Sequence, residues 1–329
     1  MNFNAIVGNP PYQAADGGYK NSARSIYPNF IKLTKNLNTK YTSLIVPSRW
    51  MTGGKGLNGF RKEMINDRSI KVLHDYTIGQ DCFDNVGIAA GICYFLRENT
   101  YIGKCTVYSH NDTIEKSFRY LVEKGDSIFI RENKLISIKN KVWSNSETKS
   151  FSSIVSSRKP YGICTDFFND PSKWDLPELS DVKIENGYSI LGRENNRRCW
   201  KYISNNYPIP NKNMLHDYKL FVPVIWSCDV FMKIKVRIVL AKPNELCTET
   251  FLQIGPCKSE EELYNLYTYF NTKFFKILMS IKKITPHSSR SVYEFVPLQD
   301  FTKPWTDEEL YKKYDLNQDE IDYIEKTMK

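Results

Sequence analysis

The chain has no apolar run of membrane-spanning length and no segment with the form of a secretory leader, so the sequence points away from the membrane and towards a cytoplasmic setting. Histidine is scarce. The four residues His74, His110, His216 and His287 stand apart from one another and from the eight cysteines. Those cysteines have no paired metal-ligand spacing, and several fall within apolar strand patterns, so no metal site is expected and reduced, buried thiols are. The C-terminal half has no Gly-x-Gly turn between a strand and a helix, which excludes the usual glycine-rich cofactor turn there. Acidic residues are outnumbered, 37 against 46 basic, for a net charge of +9. The excess is concentrated in residues 1–150 and 183–300, as a polyanion-binding cleft requires. Abundant Lys, Asn, Ile and Tyr also fit an AT-rich coding sequence, so clustering matters more than the total.

What is present begins almost at once. The apolar run Phe3 to Gly8 leads into Asn9-Pro10-Pro11-Tyr12. A short strand ending at Gly8 delivers this tetrapeptide to the carboxyl edge of a sheet, where open α/β folds place their ligands. The prolines fix φ and lack N–H groups, which makes the loop stiff and frees its carbonyls to accept hydrogen bonds. The Asn9 side-chain oxygen and the Pro10 carbonyl can together accept both hydrogens of an exocyclic amino group, making its nitrogen more nucleophilic. Tyr12 can stack on the ring that carries the amino group. An ordinary Pro-Pro turn after a strand is the plainer reading of the same residues.

Further along, the periodicity predicts a helix over 22–38, a strand from Tyr41 to Trp50, a helix over 57–67, and strands over Ile70–Tyr76 and Ile88–Leu96. Gly53-Gly54-Lys55-Gly56 lacks the spacing of a nucleotide-triphosphate loop. Lys55 is a candidate DNA-backbone contact, and a flexible strand-to-helix connection is an equal reading. Glu132-Asn133-Lys134 has the local form of a nuclease strand, but its nearest upstream acid, Asp126, is too close, so no cleavage activity is assigned. Gly255-Pro256-Cys257 reads as a turn after Leu252-Gln253-Ile254.

The tetrapeptide resembles the Asn/Asp/Ser-Pro-Pro-Tyr/Phe/Trp motif of amino-methylating DNA methyltransferases, which flip a base and methylate its amino nitrogen. The succession Asn-Pro-Pro-Tyr, Ile-Val-Pro-Ser-Arg-Trp, Gly-Gly-Lys-Gly and Cys-Phe-Asp-Asn-Val is similar to the gamma-group adenine methylases of restriction-modification enzymes. Segments such as 157–162, 272–275 and 305–325 resemble the target-recognition half of type IIG enzymes. The resemblance implies an α/β fold, with a partial Rossmann-like methyltransferase sheet followed by a mixed α+β target-recognition domain. The corresponding boundaries are 1–120 for the catalytic part, 121–150 for a linker, 151–300 for recognition and 301–329 for a helical tail. It also implies that Asn9, Pro10, Pro11 and Tyr12 form the catalytic loop, that Phe83 is the aromatic on the other face of the flipped base, and that S-adenosylmethionine is the cofactor. A core phenylalanine in a loop is an equal reading of Phe83.

Double-stranded DNA is the expected partner. The candidate readers form two clusters. Arg193, Asn195, Asn196, Arg197 and Arg198 lie in the first, and Lys282, Lys283, Ser288 and Arg290 in the second; solvated loops are the alternative for both. Methylases of this group place their cofactor turn upstream of the Asn-Pro-Pro-Tyr loop, so the chain is expected to expose a sheet edge and to need a separate cofactor-binding or nuclease subunit. By itself it is expected not to bind S-adenosylmethionine tightly. Site-specific adenine methylation is the first functional reading, and a non-catalytic DNA-binding specificity fragment or subunit is the alternative.

Overall fold

The computed structural model describes residues 3–14, 24–51, 56–83, 88, 90–110, 114–123, 126–144, 148–170, 173, 179–226, 236–283 and 286–328. The chain divides into two compact units, Met1–Ile136 and Ser137–Lys329.

The first unit is a mixed α/β layer structure built on a six-stranded sheet. Its strands are β1 (Ala5–Gly8), β2 (Tyr41–Pro47), β3 (Ile70–Tyr76), β4 (Ile92–Glu98), β5 (Cys105–His110) and β6 (Ile114–Arg119), in the order β1-β2-β4-β3-β5-β6. β1 pairs parallel with β2 and β3 parallel with β5, whereas β4 runs antiparallel to both of its neighbours. Parallel pairing needs a crossover, which α1 (Tyr27–Asn36) supplies between β1 and β2. The helix α2 (Asn58–Ile65) follows β2. Strand alternation puts Leu44, Val46, Leu73, Phe95 and Val107 in one core with Tyr27 and Ile31 of α1 and Met64 and Ile65 of α2.

Three boundaries differ by three residues or more from those the sequence suggests. α1 begins at Tyr27, because residues 12–14 and 24–26 are tied to each other by backbone hydrogen bonds. β2 ends at Pro47 and the chain turns into a single 3-10 turn, Ser48–Met51. β4 starts at Ile92 rather than Ile88, since Ala90 and Gly91 take φ of +75° and +77°, incompatible with a strand. A Cβ at Gly91 would lie 2.0 Å from the Tyr76 carbonyl oxygen, so only glycine allows this close approach.

The second unit has two three-stranded sheets. One is β10-β9-β12, from β9 (Tyr218–Pro223), β10 (Val239–Ala241) and β12 (Phe251–Cys257); the other is β11-β7-β8, from β7 (Tyr188–Glu194), β8 (Arg197–Ile203) and β11 (Glu245–Cys247). Their core includes Ile190, Leu191, Ile203, Phe221, Leu246 and Phe251. The segment 255–257, read from sequence as a turn, belongs to β12 and carries a register irregularity between Ile254 and Cys257. Helix α3 (Asn133–Val142) spans the boundary between the units. At the C-terminal end, α6 (Asp307–Lys313) and α7 (Gln318–Thr327) pack on α5 (Lys273–Ser280), which follows α4 (Glu260–Asn271).

Of the described cysteines, Cys93, Cys105, Cys247 and Cys257 are buried, while Cys82, Cys164 and Cys199 are only half-buried. No described helix is long and apolar enough to cross a membrane.

Candidate functional site

The pairing pattern makes β1, β2 and β3 run the same way, so their carboxyl ends share one edge of the first sheet. Three segments leave the sheet there: Asn9–Tyr12 after β1, Ser48–Met51 after β2 and Gly79–Phe83 after β3. β1 is an edge strand among the described residues, and its Val7 side chain is 80% exposed.

The tetrapeptide is anchored at both ends. Gly8 pairs with Leu44 in the sheet, and the Tyr12 carbonyl accepts a hydrogen bond of 3.0 Å from the Ile26 N–H at the entry to α1. Between these anchors Pro10 is buried while Asn9 and Pro11 are exposed. The Tyr12 hydroxyl is buried and makes no hydrogen bond of full geometry. Burial, with the nearby Cys82 thiol, pushes its pKa up to about 12, and the adjacent Asn9 side chain pulls the other way. Tyr12 is thus a neutral ring beside Cys82. Phe83, the next residue, is half-buried, and its N–H donates to the Gly79 carbonyl at 3.0 Å, closing the turn that brings it to this edge.

Behind these loops lies a buried polar cluster that the sequence pattern does not single out. The Ser48 hydroxyl donates to Asp75 Oδ1 at 2.7 Å, and Arg131 Nε lies 3.0 Å from Asp75 Oδ2. Arg131 also donates through Nη2 to the Ala90 carbonyl, and Trp50 Nε1 donates to Cys93 Sγ at 3.4 Å. Burial pushes the Asp75 carboxyl above the ordinary range, with Arg131 and Ser48 opposing. The cluster ties the segment after β2 to the segment before β4. A lone Asp in an apolar strand is its one sequence signal, and the Arg131 partner, 56 residues away by numbering, gives none.

Lys55 lies outside the described residues. Arg193, Asn195, Asn196, Arg197 and Arg198 form an exposed hairpin tip between β7 and β8. The second cluster, a candidate DNA contact with a solvated loop as the alternative reading, is partly buried. Lys283 is buried and donates through Nζ to the carbonyls of Trp226 and Pro286. Lys282 is paired with Glu294, and Ser288 is fully buried. Lys283 and Ser288 are thus buried in the second unit, and Lys282 is engaged by a local acidic partner. Arg290 remains exposed, with Nε donating to the Ser152 carbonyl at 2.8 Å. Among the described residues no group of three or more His, Cys, Asp and Glu side chains could hold a metal.

A proline-stiffened loop thus stands at the carboxyl edge of an α/β sheet, with Tyr12 near the turn that bears Phe83. Residues 1–83 match the family model described as Eco57I restriction-modification methylase. An "Uncharacterized adenine-specific methylase" of Mycoplasma pneumoniae is 34% identical over 110 residues, which is 32% of this chain and 26% of that protein. The chain spans about a quarter of this curated relative, and the matched family model covers its first 83 residues.

Similar solved structures include the type IIG restriction endonuclease BpuSI (11% identity, 93% of this chain, 44% of that one, TM-score 0.35) and the type IIL restriction-modification enzyme MmeI in complex with DNA (12%, 88%, 45%, 0.45). A DrdV–DNA complex is also similar (10%, 91%, 43%, 0.42).

Proposed function

We propose that this chain is the base-holding and DNA-recognition part of an adenine-specific DNA methylase in a restriction-modification system. The six-stranded sheet is read as part of a Rossmann-like methyltransferase sheet, and the second unit as the target-recognition domain. The observation that carries the reading is the doubly anchored Asn9–Tyr12 loop, with its asparagine exposed, its first proline buried and Tyr12 beside the turn that bears Phe83.

In this reading the target adenine leaves the duplex and enters between Tyr12 and Phe83. Asn9 Oδ1 and the Pro10 carbonyl accept its two amino hydrogens. That raises the electron density at the nitrogen without placing a formal charge on it. The stiffness of the prolines means that neither acceptor has to be ordered at the moment of reaction. S-adenosylmethionine supplies the methyl group in enzymes of this class. Among the described residues no glycine-rich turn leads from a strand into a helix, so they do not make a holder for it. A separate cofactor-binding part is the partner this reading requires, and the cytoplasm is where such a system works.

The target sequence itself emerges from the test. Duplexes retained by the chain are selected from a random pool, and 2-aminopurine is then placed at each adenine of the retained site. Fluorescence should rise on binding at one adenine, and Asn9→Ala should reduce that rise. Retention without a rise at any position would leave a DNA-binding specificity fragment, the second reading. If no sequence is retained, both fail.

A further inference from the structure

The hairpin of the second unit separates two arginines that are neighbours in sequence. Asn195 and Asn196 take φ of +47° and +65°, forming a two-residue turn, so β7 and β8 pair with Glu194 opposite Arg197 and Arg193 opposite Arg198. Side chains alternate across a strand, which puts Arg197 and Arg198 on opposite faces of the sheet. Arg197 shares its face with Glu194, which also lies 3.1 Å from Lys201. Arg198 shares its face with another arginine.

Arg198 is also held in place. Its guanidinium lies over the ring of the buried Phe251, 5.0 Å from the centroid, and its Nη1 donates to the Arg237 carbonyl at 3.1 Å. Arg193 is fixed in turn, donating from Nη2 to the Asn196 carbonyl at 2.7 Å. Partial burial and the charges of Arg237 and Arg193 hold the Arg198 pKa below its ordinary value. None of the three arginines forms an ion pair among the described residues, and all three are exposed. Like charges directly opposite in a ladder cost stability. A neutral base edge would leave that repulsion in place. An anion removes it.

We propose that Arg193, Arg198 and Arg237 together form a subsite for a phosphate of the DNA backbone. The proposal rests on the DNA-binding reading above and adds Arg237, which the sequence offers no reason to select. It assigns the arginines on this face to affinity and register rather than to base reading. Arg197, on the other face beside Glu194, lies outside the subsite.

The experiment is a salt titration of binding to several fluorescein-labelled duplexes of unrelated sequence, with thermal unfolding of every variant. Arg193→Ala and Arg237→Ala should weaken binding about tenfold on all duplexes, as expected for loss of a charge-assisted contact. Each should lower the slope of log affinity against log salt by about one. Their melting temperatures should stay level or rise, because the like-charge repulsion is relieved; a merely structural role would lower them. Arg197→Ala should bind as the parent does. Arg198→Lys, which keeps the charge over Phe251, should retain more affinity than Arg198→Ala. Equal losses for Arg197→Ala and Arg237→Ala, or losses confined to one sequence, would overturn the subsite and leave DNA binding intact. Absence of binding by the parent chain would remove the underlying reading as well.

Discussion

Arg131 Nε lies 3.0 Å from Asp75 Oδ2, and the carboxylate is fully buried in the strand next to β4. The pair joins a strap that follows β6 to the centre of the first sheet, and through the Ala90 carbonyl it also holds the chain just before β4. It has the properties of a buried ion pair: costly to assemble, and more costly to break from one side.

Arg131→Met should therefore destabilise the first unit by about 3–5 kcal/mol near neutral pH. The sign of its pH dependence is fixed by Asp75. Burial already raises this carboxyl above its ordinary value of 3.8, and losing Arg131 raises it further. The protonated form carries no charge to desolvate, so the penalty is present above the raised pKa and shrinks as pH falls towards 3.8. Urea unfolding at several pH values measures it. A penalty independent of pH would mean that Asp75 is not the group left exposed to the loss.

The first unit is legible in the sequence because its signals are local. β3 is readable to the residue: from Val72 to Tyr76 it alternates between half-buried and buried positions, after a register shift between Ile70 and Val72. The boundaries that shift depend on backbone geometry no hydrophobic pattern encodes: positive φ at Ala90 and Gly91, and the bridge from Gln13 to Ser25. The segment 260–280 forms two helices, α4 and α5, rather than one, because Thr272 takes an extended ψ of 151° and caps the second one through a bond from the Phe275 N–H. A threonine among aromatic residues does not announce this; Asp307, which accepts from the N–H groups of Lys273 and Phe274, comes from another helix altogether. The candidate base-holding loop is visible as a motif. The Asp75–Arg131 pair and the place of Arg237 depend on tertiary contacts and are not.

The first sheet has a second titrating feature on its half-buried face. His74 is stacked between Tyr94 and Tyr108, at 4.4 Å from each, and its Nδ1 lies 2.9 Å from His110 Nε2. The shared hydrogen bond needs one donor and one acceptor, so it fails when both rings are protonated. Burial and the proximity of His110 lower the His74 pKa. Because the folded value is depressed, the contribution to stability is present above the ordinary 6.5 and is lost as pH falls through the lowered value. The melting temperature should drop over that window, and His74→Phe, which keeps a ring in the stack, should flatten the drop. An unchanged profile in the variant would assign the drop to other groups; Asp67, lowered from 3.8, loses its contribution only at more acid pH. For Asp67, the Lys35 contact at 2.7 Å and Arg97 at 3.3 Å outweigh burial and hold the carboxyl low.

In the proposed reading, Tyr12 separates stability from base holding within one residue. Its hydroxyl is buried without a full hydrogen bond, so the oxygen is desolvated with little return. Tyr12→Phe should leave unfolding free energy level or raise it by up to about 1 kcal/mol, and should preserve the 2-aminopurine signal, because the ring face remains. Tyr12→Ala removes that face, and base–aromatic stacking is worth about 1–3 kcal/mol, so the signal and the affinity for the selected duplex should both fall. If the phenylalanine variant proves as damaging as alanine, the hydroxyl has a partner in the DNA-bound state, and Tyr12 acts there as a hydrogen-bonding group rather than as a stacking surface.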